Sequence, residues 1–91
     1  MKLKMKYENE IFIHKDAIKF LKKLNPKLRE RIKSSISALK FFPLVKLDIV
    51  KLAGYKNSFR LRIGSIRILF EYQEKERVIF IRKIGFRESF H

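Results

Sequence analysis

The chain has 91 residues, 46% of them hydrophobic, and its 23 Lys and Arg against 9 Asp and Glu give a formal net charge of +14. This length predicts one domain over residues 1–91, and so large a positive charge indicates a polyanionic partner. The chain has no cysteine, and its two histidines, His14 and His91, lie near opposite ends, so no metal site and no cofactor is expected. The sequence shows neither a signal peptide nor a membrane span, which predicts a cytoplasmic protein without membrane association.

The first half of the chain predicts a strand followed by two helices. Residues 7–13 favour a strand, and His14 or Asp16 then caps a helix that ends before Asn25-Pro26. The same pair starts the second helix, with Asn25 as N-cap, and Pro43 ends it. Residues 15–42 therefore predict a helical hairpin with one apolar seam, formed by Ala17, Ile18, Phe20, Leu21, Leu24, Leu28, Ile32, Ile36 and Leu39.

The second half changes from helical periodicity to alternation. Residues 58–63 and 66–72 alternate, and the intervening Gly64-Ser65 is a two-residue hairpin turn. A second turn precedes a third strand over residues 77–84. The predicted fold is α+β, with an N-terminal strand, a two-helix hairpin, and a three- to four-stranded antiparallel sheet packed on the helices.

The predicted hairpin places Arg62 directly opposite Arg67. The apolar residues of the two strands then share the face that meets the helices, namely Phe59, Leu61, Ile63, Ile66, Ile68, Phe70 and Tyr72. The other face carries Arg60, Arg62, Arg67, Leu69 and Glu71. Like charges directly opposite one another destabilise a sheet, so the pair indicates an anion bound above it. The alternative is that the arginines spread apart and pair with Glu71, Glu74 and Glu76.

Two more arginines, Arg82 and Arg87, lie near the end of the third strand and just beyond it. If Val78, Phe80 and Ile84 point to the helices, Arg87 points to the face that carries the other arginines. A bulge at Gly85 would reverse that parity. Arg82 has the parity of the core, so that either the strand bends there or Arg82 emerges at the sheet edge.

The sequence lacks the motifs of several common enzyme classes. Glycine-rich phosphate loops, GxSxG and HExxH are all absent, and no pair of carboxylates suits glycoside hydrolysis. The cationic face remains, and Lys51 and Lys56 extend it as a basic rim. Such a face binds a nucleic-acid backbone, and it can also stabilise charge while an internal 2′-hydroxyl attacks a phosphodiester.

These residues resemble the RelE/ParE toxin superfamily, most closely its archaeal, RelE-like branch. The similarity extends over nearly the whole chain, and it is carried by residues 51–71, which include FRLRIGSIRILFE, and by Arg82-x-Ile84-Gly85-x-Arg87. The resemblance implies the toxin of a toxin–antitoxin pair, which cleaves mRNA in the ribosomal A site without metal and inhibits translation.

The resemblance also implies roles for individual residues. Arg67 would stabilise the scissile phosphate, and Arg87 would protonate or neutralise the 5′-oxygen leaving group. Arg60 and Arg62 would orient the backbone or assist activation of the 2′-hydroxyl. Arg62, Lys51, Lys56, Arg82 and His91 are expected to bind RNA. His91 stands about where many relatives have a base-stacking Tyr, and Phe86 stands where relatives often have His.

Three functions stay open. The favoured function is the ribosome-dependent endoribonuclease, and the alternatives are a ParE-like inhibitor of DNA gyrase and a non-catalytic RNA- or ribosome-binding module. The expected partners of the favoured function are the ribosome, mRNA and a cognate acidic antitoxin. The antitoxin is expected to cover the sheet or displace the C-terminal region, and in this way to neutralise the arginine face. Leu69 and, depending on strand parity, Ile79 or Ile81 are its expected apolar anchors.

Overall fold

The structure, a computed structural model, describes residues 8–90. The elements in chain order are strand β1 (Glu10–Ile13), helix α1 (Lys15–Lys23), helix α2 (Pro26–Ala38), a 3-10 turn (Leu39–Phe41), strands β2 (Ile49–Lys51), β3 (Ser58–Ile63), β4 (Ile66–Gln73) and β5 (Val78–Phe86), and a second 3-10 turn (Arg87–Ser89). The predicted first strand began at residue 7, which lies outside the described residues.

Local capping positions the two helices. The Nδ1 of His14 accepts the backbone N–H of Asp16 at 3.1 Å and caps α1, while Asn25 Oδ1 accepts the N–H of Leu28 at 2.9 Å and caps α2. Pro26 occupies the first turn of α2 as predicted. The α-helix ends earlier than Pro43, at Ala38, because its last turn tightens into the 3-10 turn. Within residues 8–90, no helix combines the length and apolar character needed to cross a membrane.

The strands of residues 8–90 form one five-stranded sheet in the order β1-β5-β4-β3-β2. Strand β1 runs parallel to β5, and the other pairs are antiparallel. The predicted α+β architecture is confirmed, but the sheet is larger than three to four antiparallel strands. The difference arises because β1 joins as a parallel edge strand and the three-residue β2 adds the opposite edge.

The β3–β4 hairpin has the predicted register. Ile63 pairs with Ile66, Arg62 with Arg67 and Leu61 with Ile68. Gly64 has φ +56°, a backbone conformation that places glycine at the first position of a two-residue turn. This turn fixes which side chains face the helices and which face away.

The core lies between the helices and one face of the sheet. The sheet contributes Leu61, Ile63, Ile66, Ile68, Phe70 and Tyr72, and the helical segment contributes Ala17, Leu21, Ile32, Ile36 and Leu39, all buried. Phe59 is partly buried against the same cluster. The predicted apolar face is therefore confirmed, and so is the helical seam apart from Ile18, which is exposed. We call the other side of the sheet the open face; its central residues are Arg60, Arg62, Arg67, Leu69 and Glu71.

Strand β5 departs from the predicted parity. Ile79 and Ile81 are fully buried, so Val78 and Phe80 point to the open face and not to the helices. A bulge lies at Arg82, because Phe70 pairs with Ile81 whereas Leu69 pairs with Lys83. The extra residue returns Ile84 to the core. The prediction that Ile79 or Ile81 offers an apolar contact to the antitoxin is therefore wrong. The change of parity occurs at Arg82 rather than at Gly85.

We expect Asn9→Ala to lower the free energy of unfolding by about 1–3 kcal/mol. The buried Asn9 amide donates to the carbonyls of Leu39 at 3.1 Å and Phe42 at 2.8 Å, tying the start of β1 to the helical layer. Truncation leaves both carbonyls without that donor. Urea denaturation followed by circular dichroism measures the change. A cost no greater than that of Lys75→Ala, at the exposed β4–β5 turn, would contradict this role for Asn9.

Candidate nucleic-acid interface

The sheet register arranges the open face in rows across β3, β4 and β5. One row runs from Arg60 through Leu69 to Lys83, and the next runs from Arg62 through Arg67 to Gly85. Neighbouring strands lie about 4.8 Å apart, so each row is a compact patch of side chains. Four cationic residues therefore occupy two adjacent rows.

Two of the predicted RNA-binding arginines are held in ion pairs. Arg62 donates from Nε and one terminal nitrogen to Asp48 Oδ1, at 3.1 and 2.8 Å. Arg82 donates to both oxygens of Glu71, at 2.9 and 3.2 Å, and its guanidinium lies 5.1 Å from the centre of the Phe80 ring. These hydrogen bonds raise the pKa of Arg62 and of Arg82 above their ordinary values. The bulge thus brings Arg82 to the open face as an ion-paired residue.

Arg67 and Arg87 are both hydrogen-bonded to carbonyls at the β3–β4 turn. The guanidinium of Arg67 donates to the carbonyl of Gly64 at 2.6 Å and to that of Ile66 at 3.0 Å. The backbone N–H of Arg87 donates to the carbonyl of Ser65 at 2.8 Å. The turn therefore fixes the Arg67 side chain and the backbone from which the exposed Arg87 side chain projects.

The C-terminal 3-10 turn folds Phe90 back over the first row. The Phe90 ring centre lies 5.6 Å from the Arg60 guanidinium and 4.5 Å from Lys83 Nζ. Gly85 provides the space, because a Cβ atom there would lie 3.2 Å from Phe90 Cε1. Lys83 Nζ also donates to the carbonyl of Ser89 at 2.7 Å. Phe90 is thus the aromatic residue that the described structure brings onto the cationic rows.

The predicted catalytic arginines share one property. Within residues 8–90, Arg60, Arg67 and Arg87 have no carboxylate partner. The Nε of Arg60 is buried and lacks any hydrogen-bond acceptor among those residues. A guanidinium that no carboxylate neutralises keeps its positive charge available for a contact with phosphate.

The remaining predicted residues are more dispersed. Lys51 pairs across the sheet with Phe59, on the side of the helices, and Lys56 is exposed in the β2–β3 loop. Both line a shallow depression of about 500 Å³ around that loop. His91 lies outside the described residues. In the part of the chain that is described, no three acidic or histidine side chains are grouped so as to hold a metal ion.

Three residues of the open face escaped the sequence analysis. Asp48 precedes a three-residue strand that is too short to show periodicity, so nothing indicated its pairing with Arg62. Lys83 was hidden by the bulge, which changes the parity of β5. Phe90 had one signal, since a glycine opposite Arg67 leaves space above the sheet for a side chain from elsewhere.

Asp48→Asn should strengthen binding to a single-stranded RNA oligonucleotide. The substitution removes the charge that neutralises Arg62, and one further phosphate contact steepens the dependence of log K on log salt by about 0.7. Fluorescence anisotropy at several salt concentrations measures both effects. Asp16→Asn, which removes the same charge at the start of α1, is the matched control. Equal changes in the two variants would show that net charge alone is responsible.

Comparison with known proteins places this arrangement in a family. The model of the ParE toxin of type II toxin–antitoxin systems matches residues 11–89. The chain belongs to the ParE toxin family. It is 40% identical over 87 residues to a protein of Methanocaldococcus jannaschii that carries the name toxin RelE1, covering 93% of this chain and 94% of that protein.

This chain is similar in structure to solved archaeal toxins of the RelE type. The archaeal RelE–RelB complex from Pyrococcus horikoshii contains a chain with a TM-score of 0.77 and 28% identity, covering 88% of this chain and 96% of that chain. The RelB–RelE antitoxin–toxin complex from Methanococcus jannaschii gives a TM-score of 0.71 and 31% identity, covering 86% and 92%. The suspected resemblance to RelE-like toxins is confirmed.

Proposed function

We propose that this toxin is a ribosome-dependent, metal-independent endoribonuclease that cuts mRNA in the A site and stops translation in the cytoplasm. One observation carries the proposal. Of the five arginines predicted for the site, the three predicted to be catalytic, Arg60, Arg67 and Arg87, have no carboxylate partner within residues 8–90, whereas Arg62 and Arg82 are paired. Unpaired guanidinium groups suit a reaction whose main demand is stabilisation of phosphate charge.

The reaction is an intramolecular transfer. The 2′-oxygen of the nucleotide attacks the adjacent phosphorus, the bond from phosphorus to the 5′-oxygen breaks, and the products are a 2′,3′-cyclic phosphate and a 5′-hydroxyl. The 2′-hydroxyl proton passes to solvent, and the 5′-oxygen takes up a proton as it leaves. Such a reaction depends on in-line placement and charge neutralisation, so the ribosome supplies geometry and the protein supplies charge.

The positions of the arginines are compatible with the roles that the resemblance implies. Arg67, held by the two carbonyls of the turn, contacts the non-bridging oxygens where negative charge develops. Arg87, exposed and anchored through its backbone to Ser65, neutralises or protonates the 5′-oxygen. Arg60 orients the RNA backbone beside the 2′-hydroxyl. The remaining cations of the interface, Arg62, Lys51, Lys56 and Arg82, contribute RNA affinity, as does His91, which is not among the described residues.

A defined cleavage assay tests this function. Purified protein is incubated with ribosomes stalled on a short mRNA, with and without EDTA, and the RNA ends are mapped. A cut within the A-site codon that requires ribosomes, survives EDTA and leaves a 5′-hydroxyl supports the proposal. Cleavage of free RNA to the same extent, or loss of cleavage in EDTA, contradicts it.

The cleavage assay, together with a ribosome-binding assay and a gyrase assay, separates the alternatives. The matching family model describes ParE toxins, so a gyrase inhibitor is the second candidate. Ribosome binding without cleavage would favour a non-catalytic binding module. If the protein neither cuts mRNA nor binds ribosomes but blocks DNA supercoiling by purified gyrase, the ParE-like function replaces the nuclease.

The antitoxin forms part of the proposal. Two similar archaeal structures are RelE–RelB complexes. The expected partner here is an acidic antitoxin that covers the open face and neutralises its unpaired arginines. Leu69 offers an apolar contact, and the stacked rings of Phe12 and Phe80 replace Ile79 and Ile81 as the further candidates. A complex that inhibits cleavage yet leaves Leu69 and Arg67 accessible would contradict this mode of binding.

A further inference from the structure

A cavity of about 350 Å³ lies at one end of the open face, beside the β2–β3 loop. Its walls come from that loop and from β3 and β4, and they are formed by Leu52, Tyr55, Ser58, Arg60, Leu69 and Glu71. Of the residues given catalytic roles above, Arg60 alone lines this cavity, and no role has been given to the cavity itself. Its size lies at the lower end of the range for small-molecule sites, which suits a single nucleotide.

The lining combines apolar, aromatic and polar groups in a way that suits a nucleobase. Leu52 and Leu69 provide apolar surface, and the ring of Tyr55 is 65% exposed and free to stack. Ser58 adds a hydroxyl and Glu71 a carboxylate. The carboxylate disfavours a phosphate in the cavity, whereas a flat base with a hydrogen-bonding edge finds both a stacking surface and polar partners.

Arg60 links the cavity to the catalytic row. Its Nε is buried without an acceptor among residues 8–90, and Phe90 covers its guanidinium from the other side. No protein carboxylate competes for this guanidinium in the described chain. It is therefore available to a ligand that occupies the cavity or lies beside it.

The spacing along β3 suits one nucleotide. Arg60 lies two residues from Arg62, which pairs with Arg67 across the hairpin. Two residues of a strand span about 6.8 Å. A nucleotide whose phosphate contacts Arg67 can therefore direct its own or its neighbour's base to the cavity.

We propose that this cavity binds one mRNA base next to the scissile phosphate and that Glu71 makes it prefer bases with an exocyclic amino group over uracil. A carboxylate accepts hydrogen bonds from the exocyclic amino groups of cytosine, adenine and guanine, whereas uracil has no exocyclic amino group and presents a carbonyl oxygen where cytosine carries its own. Glu71 keeps this capacity while paired with Arg82, because each carboxylate oxygen accepts more than one hydrogen bond. The inference rests on the proposed nuclease function and adds the origin of its codon preference.

Cleavage rates on ribosomes test the preference. The mRNAs differ only in the base at one A-site position at a time, and single-turnover rates are compared. At one position the wild type should cut amino-bearing bases about tenfold faster than uracil. Glu71→Gln should remove that difference, because an amide donates to a carbonyl oxygen. An unchanged preference in Glu71→Gln overturns the inference.

Two controls separate the cavity from its surroundings. Arg82→Gln breaks the same ion pair without removing the carboxylate, so it should slow all codons alike and keep the preference. Tyr55→Ala should slow every codon, and Tyr55→Phe should restore the rate because stacking needs the ring and not the hydroxyl. Loss of the preference in Arg82→Gln, or equal rates for Tyr55→Ala and wild type, would contradict the inference.

A measurement without ribosomes distinguishes failure of this inference from failure of the proposed nuclease. CMP and UMP are titrated separately into the full chain and followed by NMR of the backbone amides. CMP should shift Leu52, Tyr55 and Ser58 at lower concentration than UMP, and Tyr55→Ala should abolish these shifts. Shifts without any cleavage would uphold the base site and reject the nuclease. Cleavage with identical CMP and UMP titrations would reject the base preference alone.

Discussion

Arg67→Ala is expected to reduce A-site cleavage by about 100- to 1,000-fold, comparable to removing a main charge-stabilising donor from an enzyme. Arg67 is held by the carbonyls of Gly64 and Ile66, so its guanidinium is oriented before substrate binds. Its truncation removes charge stabilisation that the paired Arg62 is poorly placed to replace. Single-turnover cleavage of a defined mRNA on purified ribosomes measures the loss.

Two further variants show whether the loss comes from net charge or from the guanidinium group of Arg67. Arg31→Ala removes the same charge from the exposed surface of α2 and should leave the rate nearly unchanged. Arg67→Lys keeps the charge but lacks the fork that binds two oxygens, so it should recover only part of the rate. If Arg67→Ala weakens ribosome binding as much as it slows cleavage, the residue serves affinity and not catalysis.

Phe70→Ala should lower the free energy of unfolding by about 3–5 kcal/mol. Phe70 is fully buried, stacks on Phe59 at 5.5 Å and meets the edge of Phe42 at 5.3 Å. Small domains have total stabilities of about 5–15 kcal/mol, so the variant is expected to be partly or fully unfolded at 37 °C. Thermal and urea denaturation measure this effect.

Phe12→Ala is the matched control, because the Phe12 side chain is half exposed and stacks on Phe80 at the edge of the open face. It should cost clearly less stability than Phe70→Ala. Equal costs for the two truncations would mean that the cluster around Phe70 does not dominate the core.

The local parts of the fold were predictable because their signals are local. Asn25 and Pro26 define the start of α2 through a cap and a fixed φ angle, and both lie within a few residues of the hydrogen bonds they make. The Gly64-Ser65 turn fixed the register of the hairpin in the same way. That register was sufficient to predict that Arg62 and Arg67 pair across the two strands.

The long-range parts were not predictable from one sequence. Strand β1 pairs in parallel with β5 across most of the chain, and β2 contains only three residues. Neither pairing leaves a periodic pattern that identifies its partner. The bulge at Arg82 changes which side chains of β5 face the helices, and no glycine or proline marks it. For this reason Val78 and Phe80 were assigned to the core, and Ile79 and Ile81 to the open face, when the reverse is true.

The candidate site shows the same division. Open-face positions for Arg60, Arg62 and Arg67 follow from alternation on two strands. Their partners do not, since Asp48 and Phe90 come from segments outside the hairpin and reach the open face through tertiary folding. The distinction between paired and unpaired arginines therefore required the structure.

Under the proposed function, alternation along β3 and β4 makes loss of toxicity and loss of folding separate mutational events. Substitutions at Arg60 or Arg67 change the open face, whereas Leu61 and Ile68, next to them in sequence, are fully buried. Cells selected to survive expression of the gene should therefore escape through two classes of mutant. Sequencing survivors that retain normal protein levels should recover open-face substitutions, and survivors without detectable protein should carry core substitutions. When such a gene loses its toxicity in evolution, we therefore expect some copies to encode a folded, inactive protein that still binds the antitoxin.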